Sequence, residues 1–222
     1  MTITVDVISD VICPWCYIGK RRLEAAIRAM PEHAVRVRWH PYQLNPTMPA
    51  EGMDRRAYRT RKFGSWERSL ELDAQMTVAA NAEGLPFALE KIARTPNTFA
   101  AHRVLWLADQ VGVQDGVMEE LFKAYFVDGK NIGERAVLLD AAEAGGLNRE
   151  RVETMLHGDE GVDEVKVEEA KARKRGVEGV PFFIVNDTVT VSGAQPTGVF
   201  LAAFKQVAPP APAQTCSVGG TC

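Results

Sequence analysis

The chain has 222 residues, 46% of them apolar and 25% charged, with 26 Lys and Arg against 29 Asp and Glu for a net charge of −3. That mix suits one or two globular domains with a core of their own. It excludes a polybasic nucleic-acid binder and a disordered acidic chain. No apolar run approaches the ~18 residues of a membrane-spanning helix, and Met1 to Asp6 lacks the basic segment of a secretory leader. A cytoplasmic protein with neither nucleic acid nor membrane as partner is expected.

In chain order, Ile3 to Ser9 is β-branched and partly alternating, which predicts a strand. From Pro14 to Met30 the spacing is helical, with Tyr17, Leu23, Ile27 and Met30 on one face and Lys20, Arg21, Glu24 and Arg28 outside. Val35 to His40 alternates and predicts a second strand. Two strands joined by a helix of that length are expected to be parallel. The proline-rich stretch from Pro41 to Gly52 reads as a loop. Beyond it, from Asp54 to Gly176, no strand is evident, and helices are predicted near 54–63, 66–83, 98–111, 115–127, 134–145, 149–157 and 162–175. Strand character returns at Val180 to Val185. Asn186-Asp187 then makes a turn into a hairpin partner at Thr188 to Val191. A last helix from about Thr197 to Val207 precedes the extended Pro209-Pro210-Ala211-Pro212. The expected fold is α/β: one domain of residues 1–50 and 160–207, split by an all-helical insertion of residues 51–159, with a C-terminal tail of 208–222.

The four cysteines form two close pairs, Cys13 with Cys16 and Cys216 with Cys222. In a reducing compartment such pairs serve catalysis, redox sensing or metal binding rather than scaffolding. Cys13-Pro14-Trp15-Cys16 sits where a strand hands over to a helix. There the unpaired N–H groups and the helix dipole favour a thiolate on the first cysteine, and the second lies one turn on, within bonding reach. Cys13 is then the nucleophile and Cys16 the resolving thiol. Pro14 suits the first helical position; Pro14 and Trp15 shape the sulfur's surroundings, and neutral Trp15 adds no charge. Zinc is the main rival, since two pairs supply four thiolates, although zinc knuckles sit in tight turns rather than at a strand-to-helix junction. Val180-Pro181 is a second signal. Proline opening a strand is unfavourable unless the position is special, such as a cis bond presenting the Val180 backbone to a substrate strand; a trans proline on an edge strand is the alternative.

Several motifs together resemble the DsbA-family thioredoxin-fold proteins, in particular the FrnE-like subgroup. They are Ser9-Asp10-Val11-Ile12-Cys13-Pro14-Trp15-Cys16-Tyr17-Ile18-Gly19, Pro96-Asn97-Thr98 with Ala101-His102-Arg103, Gly176 to Phe183, and Ser192-Gly193-Ala194-Gln195. The likeness spans residues 3–205. It implies a thioredoxin fold interrupted by a helical domain, protein disulfide oxidoreductase or isomerase activity, and a cis Pro181. The partners it implies are protein or peptide thiols and disulfides and a cellular reductant, with no tightly bound cofactor and glutathione as a candidate reductant. The same superfamily holds 2-hydroxychromene-2-carboxylate isomerases and kappa-class glutathione transferases, which typically carry serine where this chain has Cys13. Two intact cysteines favour dithiol chemistry over a glutathione-dependent isomerase or transferase of a small aromatic substrate. These motifs set neither the net direction of exchange nor an oligomeric state.

Five residues separate Cys216 from Cys222, two of them glycine, a spacing that closes into a disulfide with little strain. A redox relay from this pair to Cys13 and Cys16 is one reading, and an incidental or metal-clipping tail is the other. Asp10, Asn97 and His102 are candidate cleft residues, and Asp6 or Asp10 is a candidate acceptor for the Cys16 proton. His40 reads as structural. The basic stretch Arg55, Arg56, Arg59, Arg61 and Lys62 reads as a solvated helix face, with an anionic substrate groove as the lesser reading. The Lys, Arg and Glu residues between Glu164 and Arg175 read as i,i+4 pairs on an exposed helix.

Overall fold

A computed structural model describes residues 2–208, so Cys216 and Cys222 lie outside the described residues. The chain begins β1 (Ile3–Ser9), α1 (Pro14–Arg28), β2 (Val35–Pro41). It continues through β3 (Met53–Asp54), α2 (Arg55–Phe63), α3 (Trp66–Ala82), β4 (Arg94–Thr95), α4 (Phe99–Gln110), α5 (Gln114–Phe126), α6 (Arg135–Ala144) and α7 (Arg149–His157). It closes with α8 (Val162–Lys174), β5 (Phe182–Val185), β6 (Val189–Ser192) and α9 (Thr197–Val207).

The main sheet has the order β2-β1-β5-β6. β1 and β2 are parallel, from Ile3 opposite Val35 to Ser9 opposite Pro41, as expected of strands joined through a helix. β5 runs antiparallel to β1, and β6 turns back against β5. Asn186 and Asp187 make that turn with φ of 46° and 55°, a left-handed conformation that their short polar side chains tolerate. Asn186 Oδ1 also accepts from Thr4 N at 2.8 Å, tying the turn to the start of β1.

Alternation along β1 sorts the two faces. Ile3, Val5 and Val7 point into the main core, which also takes in Leu23 of α1 and Phe200 and Phe204 of α9. Ile8 points the other way, into a smaller cluster with Tyr42, Ala172, Val177 and Ile184. The main core runs on into the helical block, where Val104, Leu121, Phe122 and Val152 belong to the same buried cluster. At β2 the backbone is capped from the side by the Gln114 amide. Its Oε1 accepts from Trp39 N at 2.8 Å and its Nε2 donates to Trp39 O at 2.8 Å. An exposed strand edge is thereby closed by the first residue of α5.

Three expectations are corrected. The stretch from Asp54 to Gly176 does contain strand: β3 and β4 pair antiparallel, Met53 with Thr95 and Asp54 with Arg94. Strands of two residues carry no period to read. The strand expected from Val180 begins at Phe182, because Pro181, which follows a cis peptide bond, has no N–H to give the ladder. Lys20, expected outside, is only 2% exposed.

On the far face of the sheet His40 is held between two carboxylates, with Nε2 2.7 Å from Asp6 Oδ1 and Nδ1 3.4 Å from Glu168 Oε2. Burial alone would lower its pKa, but the Asp6 hydrogen bond and then Glu168 outweigh it and push the imidazole up to about 9. Asp6 and Glu168 are both held below the usual carboxylate range, in each case chiefly by the hydrogen bond to His40. The raised imidazole stabilises the fold fully below its ordinary value of 6.5 and loses that effect as pH climbs toward about 9. The two carboxylates stabilise it above their ordinary range and lose their effect as pH falls. His40→Gln is therefore expected to cost ~2 kcal/mol near pH 6. Urea unfolding of both proteins across the pH range should show the gap closing toward pH ~9 as the imidazole deprotonates.

Candidate active site

β1 ends at Ser9 and α1 begins at Pro14, so the short link between them delivers Cys13 to the N-cap of α1 with extended φ and ψ of −90° and 111°. Pro14 occupies the first turn, where its missing N–H costs nothing, and no side chain caps the helix. The N-terminal N–H groups are thus left to the cap residue and to what binds there. Both cysteines are free thiols. Cys13 is 4% exposed and Cys16, one turn on, is sealed at 0%. The Cys13 thiol donates to the carbonyl of Val180 at 3.5 Å, which puts the residue before cis Pro181 against the Cys13 sulfur. Trp15 stands 42% exposed on the rim. Burial pushes the Cys16 thiol well above its ordinary range, and the neighbouring Cys13 sulfur adds to this, while the Ser9 side chain and the Asp10 backbone oppose it.

Cys13, Pro14 and Trp15 form one wall of a cavity of about 460 Å³. Its other walls come from α2, α3 and α5, with Tyr58, Leu72, Met76 and Phe126 supplying apolar surface. Its charges are uneven. Arg55 and Arg59 share a single carboxylate, Asp73, each at 2.7 Å. Lys62 Nζ donates to the Tyr58 hydroxyl at 2.8 Å. Asp73 is the one acid among the described lining residues, facing three cations. Arg55 is buried and Arg59 half-buried, so for these two the expected solvated helix face is corrected, while Arg56 and Arg61 are exposed as expected.

The remaining candidates lie elsewhere. Asp10 is fully buried rather than a turn acid at the surface. Its Oδ2 accepts from Leu44 N at 2.8 Å, fixing the loop after β2 against the one before Cys13. His102 is buried beside it, with Nε2 3.5 Å from Asp10 Oδ1, near enough for ion pairing but without an aligned hydrogen bond. Asn97 donates to Met48 O at 2.7 Å and accepts from Phe99 N at 2.9 Å, a loop-fixing role. None of the three lines the cavity. Asp6 is bound to His40 on the sheet face opposite α1. Glu169, on the helix expected to be an exposed charge ladder, is buried and accepts from Gln43 N at 2.9 Å as well as pairing with Arg173. Among the described residues no three His, Cys, Asp or Glu side chains are placed to hold a metal ion. Tyr58, Leu72 and Met76 were not singled out in the sequence. Tyr58 comes from α2 and Leu72 and Met76 from α3, and only the i,i+4 spacings of Tyr58 with Lys62 and of Leu72 with Met76 hint at shared faces.

The chain matches, over residues 4–205, the family model described as DSBA-like thioredoxin domain. It is 28% identical over 206 residues to the uncharacterized protein YwbO of Bacillus subtilis, covering 90% of this chain and 94% of that one. It is also similar to the crystal structure of a probable DsbA oxidoreductase from Streptomyces coelicolor, with a TM-score of 0.84, 32% identity, and 92% and 89% of the two chains covered. A likeness of fold alone extends to the cytosolic disulfide reductase DsbM of Pseudomonas aeruginosa, solved with GSH, at a TM-score of 0.63, 20% identity, and 91% and 98% coverage.

The helix that carries the two thiols is locked to α5 by buried charge. Lys20 Nζ pairs with Glu24 and reaches Asp115 at 3.1 Å and Glu119 at 3.2 Å. The Tyr17 hydroxyl donates to Glu119 at 2.6 Å, and its ring stacks on Phe122 at 4.8 Å. Lys20→Met would leave three carboxylates facing one another without the ammonium. Since those carboxylates keep partial contact with water, the expected loss is ~2–3 kcal/mol, below the 3–5 of a fully buried pair. A shift of that size in the urea midpoint, with unchanged m-value, checks it.

Proposed function

The chain belongs to the DSBA-like thioredoxin family, and we propose that within it the Cys13–Cys16 dithiol carries out thiol–disulfide exchange on protein or peptide substrates. The observation that carries this reading is the placement of Cys13: at the N-cap of α1, beside the Val180 carbonyl, and open to the cavity. In the reductive direction the Cys13 thiolate attacks a substrate disulfide, forming a mixed disulfide and releasing one substrate thiolate. Cys16 then attacks the Cys13 sulfur, its proton passing to the departing substrate sulfur, and the second substrate group leaves as a thiol as the Cys13–Cys16 disulfide closes. Two electrons have passed to the substrate, and the reverse sequence oxidises it. Pro14 and Trp15 shape the approach, and the backbone of Val180 and Pro181 pairs with an extended substrate segment. A cellular reductant restores the dithiol. Glutathione suits that role, because its carboxylates would meet the cation excess of Arg55, Arg59 and Lys62.

On this reading residues 1–50 and 160–207 form the thioredoxin unit, residues 51–159 the inserted helical unit, and the protein works in the cytoplasm. No helix among the described residues is long and apolar enough to cross a membrane. Cys216 and Cys222 act as a relay that exchanges with the main pair.

The test is insulin reduction by dithiothreitol. The native chain is expected to accelerate it and Cys13→Ser to run at the uncatalysed rate. Removal of residues 208–222 is expected to lower turnover severalfold, and full activity of the truncated chain would end the relay. Inactivity of the native chain would overturn the dithiol reading; an isomerase activity that survives Cys13→Ser would replace it with a glutathione-dependent small-molecule enzyme.

A further inference from the structure

Ser9 closes β1, and strand alternation places its side chain with Ile3, Val5 and Val7 on the face that carries α1, the helix of Cys16. It is 0% exposed, and its hydroxyl oxygen has no hydrogen-bond partner in the resting dithiol. The sulfur of Cys16, equally sealed, lies on the first turn of the helix packed over this face, and the Ser9 side chain and the Asp10 backbone both favour its thiolate. A hydroxyl sealed in a core without a partner is a net cost that alanine would not carry. That cost becomes intelligible when the neighbouring atom is one that acquires charge during the reaction.

We propose that Ser9 is a further catalytic residue for the resolving step, its hydroxyl donating, together with the Asp10 backbone N–H, to the Cys16 sulfur as that sulfur becomes the thiolate that closes the Cys13–Cys16 disulfide. This rests on the dithiol reading above and deepens it. Resolution is the step that needs help, because Cys16 must ionise where water cannot reach it. In the step, the proton leaves Cys16 for the departing substrate sulfur, and the lone pair of the Cys16 sulfur forms the bond to Cys13. The bond from Cys13 to the substrate sulfur breaks, and Ser9 keeps its own proton throughout. The role differs from that of Cys13, whose attack on the substrate does not involve Ser9. It differs also from a packing role, which would be met by any side chain of the right size.

The experiment uses the full chain, reduced, and mixed with bis(2-hydroxyethyl) disulfide as oxidant. Acid-quenched mass spectrometry follows the Cys13–hydroxyethyl mixed disulfide as it forms and as it converts to the Cys13–Cys16 disulfide. With Ser9→Ala, formation is expected at the native rate and conversion about tenfold slower, as befits a lost hydrogen bond to a charged group. The pH profile of conversion should move to higher pH, and the midpoint of thermal unfolding should stay equal or rise. Ser9→Thr, which keeps a hydroxyl, should recover most of the conversion rate. Conversion by Ser9→Ala at the native rate and with the native pH profile would overturn the role of Ser9 while leaving the dithiol reading intact. So would formation and conversion slowed together in a destabilised variant. A native chain that forms no Cys13–Cys16 disulfide at all would overturn the reading itself, and this role with it.

Discussion

The parallel pairing of β1 with β2, and the right-handed crossing of α1 that it demands, sets where the chemistry can occur. β1 must stop at Ser9 and α1 must start at Pro14, so the chain has only Asp10 to Cys13 in which to turn. A turn that short leaves the first cysteine at the helix cap, where backbone N–H groups lack partners, and drives the second one turn deeper against the sheet. Proline at the first helical position makes the start unambiguous, since no other residue gives up so little there. The different surroundings of the two buried thiols, one lining the cavity and one fully sealed, are therefore a property of the connection and not of any special side chain. The division of labour we propose, Cys13 as nucleophile and Cys16 as resolving thiol, follows from it.

A helix end placed so tightly must also be kept from tilting, and the structure uses two different forces for this. On the α9 side α1 rests on aliphatic and aromatic packing, which is strong and indifferent to direction. On the α5 side it is held by Lys20, Arg21 and Tyr17 against Asp115 and Glu119. Buried ion pairs contribute little net stability, because desolvation offsets most of the attraction, but they are severe about geometry. α5 is thus joined to α1 through contacts that tolerate little sliding. The cavity beside Cys13, whose far walls are α2, α3 and α5, inherits that definition.

Much of this was legible in the sequence, for a physical reason. β1, α1, β2 and the β5–β6 hairpin each bury a regular set of side chains, so their period is written in the residues. The Cys13-Pro14-Trp15-Cys16 motif carries its own chemistry at a strand-to-helix junction. What escaped has no local signature. β3 and β4 are two residues each and meet across about forty residues of chain. Lys20 reads as a surface charge because the carboxylates that bury it, Asp115 and Glu119, are supplied by α5. Arg55 and Arg59 look like the other arginines of α2 until Asp73 of α3 is folded against them. Asp10 and Asn97 sit in motifs that draw attention, yet each spends its side chain on loop backbone rather than on the cavity. Polar residues are the hard case generally, since what decides their role is a partner that the sequence does not place beside them.

The charges around Cys13 fit together once exchange is viewed as the movement of a thiolate. In the exchange we propose, every stage carries one negative sulfur, on Cys13, on a departing substrate or on Cys16. A wall with three cations and one carboxylate favours anions near Cys13 at each of these stages, and its apolar lining raises the effect by lowering the local dielectric. Cys16 does not line that cavity and is sealed from solvent, so the cations give it little. Its stabilisation must come from short-range dipoles on the sheet side, where the end of β1 provides them. The two thiols therefore draw on different sources: long-range charge from the helical block for the nucleophile, and neutral donors at the strand's end for the resolving sulfur. A substitution in one source should leave the other step untouched, which is why the two half-reactions, rather than overall turnover, report on how this site is built.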